Sequence, residues 1–231
     1  MNAEPKIQSL SASCWQHIDF FKGVPAETLK ELLYDSEVLQ TNIKKIIFYG
    51  GETADHFGFV IEGVYKIFQN DQLDRRVIMD FVTSGGIIAG LLMAADNAVY
   101  PVTVQSMNSG KFLKIPKSTY NNFWCKSAEI MKKVQIANME RVRSLQTLRE
   151  AQRLPLEQRV AWVLIKLLGK FSEDNNYLKV YFSRTDIADA IGAAPESVIR
   201  VFSQWTKDGL IEIKNDEEFI NLARIKEKFL L

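Results

Sequence analysis

The sequence predicts an α+β chain: an all-β barrel or sandwich, then one long helix, then a helix-turn-helix closed by a two-stranded wing. Three observations carry this. From about Val38 to Ile115, short apolar runs alternate with Gly and Asn/Asp breaks, the pattern of a barrel or sandwich. Residues 117–152 contain neither Pro nor Gly and read as a single helix. Residues 183–211, SRTDIADAIGAAPESVIRVFSQWTKDGLI, read as two short helices about a glycine turn.

Asp19 to Asp35 reads as helical turns, with Pro25 near a helix start and Leu29, Leu32 and Leu33 facing inward. The strand candidates are KKIIFYGG, HFGFVIEGVYKIF, RRVIMDFV and VYPVTVQSM, broken at Gly50-Gly51, Asn70-Asp71 and Gly85-Gly86. Along the long helix Ile130, Val134, Ala137, Arg141, Leu145 and Leu148 recur every three or four residues. A seam of that kind pairs with a second helix or packs on its own domain. Asn138 and Arg141 would weaken a paired seam while fixing its register, and Ser144 lies beside it.

Pro155 ends that helix or opens the next and supplies a hinge. Beyond it come the helix LEQRVAWVLIKLLGKF, the strand LKVYF and the helix pair. Ile187, Ala188 and Ile191 form the buried stripe of the first helix. Gly192 suits the cramped turn, and Pro195 fits a first helical turn, where its missing N–H is no loss. Val198, Val201, Phe202 and Trp205 pack inward, leaving Glu196, Ser197, Ile199, Arg200 and Ser203 elsewhere. Strands near Ile211–Ile213 and Phe219–Leu222 would make the wing, which favours a DNA-binding module over an ordinary helical hairpin.

Composition bounds the function without choosing it. The 231 residues suffice for two modest cores, and 47% hydrophobic with 25% charged residues is a globular balance. No apolar run of about 18 residues exists, so no membrane span is expected. The start, MNAEPKIQSLSAS, lacks the build of a signal peptide, and a cytoplasmic location is expected. Two cysteines, Cys14 and Cys125, suit a reducing compartment and cannot supply the thiolates of an iron–sulfur cluster. From Arg153 onward 12 Lys/Arg balance 12 Asp/Glu, so charge permits nucleic-acid binding only through local placement, with Arg184, Arg200, Lys207 and Lys214 on one side. No Walker A motif, G-x-S-x-G, CxxC or His–Glu pair at metal-ligand spacing is present, so neither an enzyme nor a metal site is expected.

In its order of parts the whole chain resembles the Crp–Fnr superfamily of bacterial regulators. The motifs are FVIEGVYKIF, the glycine turn before Ile87-Ile88-Ala89-Gly90, FLKIPKSTY, QRVAWVLIKLL and TDIADAIGAAPESVIRVFSQWTKDGLIEI. The resemblance implies an N-terminal β-roll of double-stranded β-helix or jelly-roll type over residues 1–116, which senses an effector. It implies a dimerisation helix over residues 117–152 and a winged helix-turn-helix over residues 153–231. It further implies a homodimer on an inverted-repeat promoter site, and contact with RNA polymerase. Its base-reading positions fall on Pro195, Glu196 and Arg200, with Glu196 accepting from cytosine and Arg200 donating to guanine. Ser197 and Arg184 fall where phosphates are held. Glu196 is equally consistent with an exposed acid favoured by the helix dipole. Pro195 departs from the arginine of the cyclic-AMP receptor, and Ile199 from the serine of the Fnr branch.

The departure is larger in the phosphate-binding cassette. The family's glutamate position falls on Gly90, and its arginine-serine pair on Tyr100-Pro101. Without that cation a buried cyclic phosphate is costly, which argues against cyclic AMP. The expected pocket is Gly86, Ile88, Ala89, Gly90, Leu91, Tyr100 and Pro101, with Ser144 and Leu145 of the long helix touching any ligand there. It holds either a different effector, flatter or more hydrophobic, or a filled core with none. With only His17 and His56, haem is not expected. A winged helix that binds protein rather than DNA stays open.

Overall fold

The computed structural model describes Trp15 and residues 18–72, 76–168, 177–180 and 182–229. The chain forms two compact units, Met1–Gln69 with Phe81–Arg143, and Asn70–Asp80 with Ser144–Leu231.

In the first unit a 3-10 turn at Asp19–Phe21 and helix α1 (Ala26–Leu32) precede eight strands, the fifth of which begins in the Asn70–Asp80 segment of the second unit. These are β1 (Glu37–Thr41), β2 (Ile46–Phe48), β3 (His56–Glu62), β4 (Val64–Asn70), β5 (Arg76–Thr83), β6 (Ile87–Ile88), β7 (Thr103–Ser106) and β8 (Gly110–Pro116). They make two four-stranded sheets, ordered β1-β8-β3-β6 and β2-β7-β4-β5. Inner-face side chains of both sheets, among them Phe59, Tyr65, Ile67, Val104 and Phe112, join one core. The approach of β3 to β8 requires a glycine: a Cβ on Gly58 would stand 1.9 Å from the Leu113 carbonyl oxygen.

The single helix expected over residues 117–152 is not formed. The chain instead makes α2 (Lys117–Asn122), a 3-10 turn at Trp124–Lys126, and α3 (Ala128–Ala151). The cause is tertiary. Trp124 is fully buried, stacks on Phe20 at 5.4 Å between centroids and meets Phe57 edge-on at 4.9 Å. Its indole N–H donates to the Leu32 carbonyl at 2.8 Å. Ser127 then restarts the helix, its Oγ accepting from the Ile130 N–H at 3.3 Å.

The periodic stripe of α3 also faces differently from a partner seam. Ile130 and Val134 are each 2% exposed within their own unit's core, and Ala137 packs against that core. Asn138 is buried, and Arg141 donates from Nη1 to the Ile87 carbonyl at 3.3 Å. Ile130, Val134 and Asn138 are thus buried within their own unit, while Ala137 and Arg141 stay half-buried. The most apolar stripe of the helix found the largest apolar neighbour, its own β-roll. Ser144, Leu145 and Leu148 fall within α3, but their side chains lie outside the described residues.

The second unit contains α4 (Leu156–Leu168), β9 (Tyr177–Lys179), α5 (Arg184–Ile191), α6 (Pro195–Lys207), β10 (Ile211–Lys214), β11 (Glu217–Asn221) and α7 (Leu222–Phe229). Its sheet runs β10-β11-β9, antiparallel throughout. Asn215 and Asp216 both take positive φ, 52° and 59°, the requirement of a tight type I′ hairpin turn at the wing tip. Helix α7 was not expected from the sequence. Asn221 caps it, its Oδ1 accepting from the Arg224 N–H at 3.0 Å, and Leu222 and Ile225 bury its inner face.

Candidate functional site

The helix pair is built by short-range rules. Ser183 caps α5, its Oγ accepting from the Asp186 N–H at 3.0 Å. Gly192 closes it in the left-handed region at φ 63°. Arg159 of α4 donates to the Ile191 carbonyl at 2.8 Å, fixing that end against the helix behind it. Two residues after the turn's Ala193, Pro195 opens α6.

Helix α6 is sharply two-faced. Val198, Val201, Phe202 and Trp205 are buried, while Glu196, Ile199, Arg200, Ser203 and Lys207 are exposed. At 100° per residue Glu196, Arg200, Ser203 and Lys207 fall within one narrow outward stripe. Arg200 is steadied by donating from Nη2 to Ser197 Oγ at 3.0 Å. Glu196 is an exposed acid in the first turn, where the helix dipole favours it.

Arg184 behaves differently from a bare phosphate contact. Its guanidinium pairs with Glu218 on β11 and lies 3.6 Å from the Phe202 ring centroid, so it ties α5 to the wing. Lys179 pairs with Glu217 on the same strand. The wing's acids thus pair with basic residues of their own unit, while α6 presents Arg200 and Lys207 outward.

In the first unit a cavity of about 150 Å³ opens between β6, the turn after it, β7 and α3. Of the residues expected there, Ile88, Ala89, Gly90, Leu91, Tyr100 and Pro101 line it. Gly86 does not: it sits in the tight turn before β6, where its N–H and carbonyl bond Thr83 and Val60. Sequence reasoning missed Phe48, Ile67, Val102 and Val104, which come from distant strands. It also assigned Asn138 and Arg141 to a helix seam, whereas both line this cavity.

Two features set the cavity's chemistry. Tyr100 stacks on Phe48 at 4.5 Å and 17°, giving a flat aromatic wall. Its hydroxyl is occupied, donating to the His56 carbonyl at 2.7 Å and accepting the His56 N–H at 3.1 Å. Burial pushes that hydroxyl's pKa up to about 12, opposed by the bond it accepts from the His56 N–H. At Gly90 a Cβ would stand 2.6 Å from Ile87 Cδ1, so any larger side chain there must displace Ile87. His56 itself hydrogen-bonds Asp55 at 2.6 Å, while His17 and Cys14 lie outside the described residues.

Comparison with known proteins agrees with both units. Residues 158–227 match the Crp-like helix-turn-helix domain, and residues 42–126 match the cyclic nucleotide-binding domain. The transcriptional activator protein FnrA of Stutzerimonas stutzeri is 23% identical over 175 residues, covering 74% of this chain and 71% of FnrA. FixK2 from Bradyrhizobium japonicum shares the fold with a TM-score of 0.70 at 16% identity, over 83% of this chain and 96% of FixK2. The regulator CLP of Xanthomonas campestris, described as c-di-GMP responsive, gives 0.67 at 16% identity, over 85% and 99%. Among the described residues no helix is long and apolar enough to cross a membrane. A cyclic nucleotide-binding domain followed by a Crp-like helix-turn-helix domain, with transcriptional activators among its relatives, makes the chain a transcription regulator of Crp/Fnr type.

Proposed function

We propose that the protein is a cytoplasmic, homodimeric transcription regulator that reads an inverted-repeat promoter site, works with RNA polymerase, and answers to an effector other than cyclic AMP. The observation that carries the DNA reading is the outward stripe of α6, where Glu196 and Arg200 stand one turn apart with Arg200 braced by Ser197. A carboxylate can accept from a cytosine amino group and a guanidinium can fork onto guanine. Two such helices on a two-fold axis, roughly 34 Å apart, would enter successive major grooves. Arg184 contributes by holding the wing to α5 through Glu218 and reaches phosphate only if that pair opens.

Arg200→Ala is expected to lower affinity for the specific site by about 1–3 kcal/mol and relax the preference at one base pair. Random duplex should be affected much less. Equal losses on specific and random DNA would make Arg200 a phosphate contact and overturn its base-reading role. The even charge balance of the C-terminal part favours one rival, a winged helix that binds protein. That rival predicts no salt-dependent shift of promoter fragments.

Against cyclic AMP stand Gly90 and Tyr100-Pro101, which lack the carboxylate and the cation that the resemblance expects at those positions, the charged side chain in the described lining being Arg141 of α3 instead. A ligand without differential affinity for two states shifts neither. Millimolar cyclic AMP is therefore expected to leave both the melting temperature and DNA affinity unchanged. Saturable micromolar binding by calorimetry would overturn this. A filled β-roll, active without any effector, is the remaining form of the same reading.

A further inference from the structure

We infer that Ile199 is a further base-reading residue: its side chain meets the C5-methyl group of a thymine, in the base pair beside the one that Arg200 reads. This rests on reading α6 as the helix that faces DNA. The observation is an apolar side chain where water favours a polar one. Ile199 is 48% exposed, on a helix face that otherwise shows Glu196, Arg200, Ser203 and Lys207. The inner face of α6 is already filled by Val198, Val201, Phe202 and Trp205, so packing does not call for an isoleucine here. Counting 100° per residue, it stands about 60° round the axis from Glu196, on the flank away from Ser197. It directly precedes Arg200, a rise of about 1.5 Å along the axis against roughly 3.4 Å between stacked base pairs. The two side chains diverge by about 100°, which sets them on adjoining pairs.

Chemistry selects the partner. Base edges in the major groove present hydrogen-bond donors and acceptors, and thymine alone adds a methyl group. An isoleucine laid on any other edge strips water from those polar groups without replacing their hydrogen bonds. Against thymine it buries apolar surface on both partners. Its β-branched side chain is stiff in a helix, so little rotamer freedom is lost on contact. The neighbouring hydroxyls do not compete for this role. Ser203 donates its proton to the Ile199 carbonyl at 2.9 Å, and Ser197 Oγ accepts from Arg200 at 3.0 Å. Glu196 and Arg200 therefore choose a G·C pair, and Ile199 extends the choice to an A·T pair next to it.

The test uses the full chain and an operator that it selects from random duplex DNA. Each thymine of that operator is replaced in turn by uracil, which removes the methyl group and keeps every hydrogen bond. The native protein is expected to lose about four-fold in affinity at one thymine per half-site, the scale of one buried methyl group. That thymine should lie in the pair adjoining the one whose preference Arg200→Ala relaxes. Ile199→Ala should bind the thymine and uracil operators alike, with its melting temperature kept, since alanine suits an exposed helical position. A uracil loss that persists in Ile199→Ala would give the methyl contact to another residue and overturn the proposal. An operator in which no single uracil weakens native binding would overturn it too. In both cases a selected operator with its G·C preference intact leaves the DNA reading standing. Failure to select any sequence, together with no salt-dependent binding to duplex, removes the proposal and the DNA reading alike.

Discussion

Trp124→Ala is expected to destabilise the N-terminal unit by about 3–5 kcal/mol, the range for truncating a large buried aromatic side chain. Trp124 has no exposed surface and lies among Phe20, Phe21, Phe57, Phe59 and Tyr120. Its removal leaves a ring-sized hole in a close-packed core, and it strands the Leu32 carbonyl that the indole N–H now satisfies at 2.8 Å. Both effects add, because neither neighbouring sheet nor α1 can collapse into the gap without breaking ladder bonds. Trp124→Phe separates them: it keeps most of the ring and loses the hydrogen bond, so about 1–2 kcal/mol is expected. Urea unfolding followed by far-UV circular dichroism measures both. A loss below 1 kcal/mol for Trp124→Ala would mean that α2 and α3 can run on as one helix, and that the indole does not enforce the break.

That break shows which features were readable in the sequence. The helix-turn-helix was legible almost to the residue because its rules are local: Gly192 at the left-handed turn, Pro195 at a first helical position, and an apolar repeat on α6. The strands were legible from their Gly and Asn/Asp punctuation. What failed needed tertiary knowledge. Nothing near Trp124 in the sequence interrupts a helix; the interruption comes from aromatic residues far earlier in the chain, Phe20 and Phe57 among them. Periodicity along α3 reported that a face is apolar without saying what covers it. Ile130 and Val134 were therefore placed at a partner seam when their own β-roll buries them. The same ambiguity hid the place of Asn138 and Arg141 in the cavity wall. Arg184 read as a free cation because Glu218, its partner, is thirty-four residues away on the wing. Helix α7 did carry a signal, Asn221 as a cap before Leu222 and Ile225, but its eight residues are too short for a periodic pattern to stand out.

Val142→Glu is expected to convert the proposed dimer to monomer and weaken operator binding by about 100-fold or more, the scale of lost two-site engagement. Among the described residues of α3, Ile130, Val134 and Asn138 are buried on the β-roll, and the exposed apolar surface lies on the outward side. There Ile136, Met139 and Val142 stand 43%, 48% and 50% exposed, an apolar row on a helix flanked by Glu140 and Arg143. Exposed Ile, Met and Val in a row are costly in water, and a second α3 laid against them would remove that surface from solvent. A carboxylate at position 142 would then be desolvated without a cation, whereas in a monomer it would simply face water. The contrast with Ile130→Glu makes the test decisive. Ile130 lies inside the unit's own core, so its substitution should lower the melting temperature and circular dichroism signal outright. Val142→Glu should keep both while halving the mass found by sedimentation velocity. A dimer that persists in folded Val142→Glu and Met139→Glu would move the interface away from α3, and with it the two-fold arrangement of recognition helices.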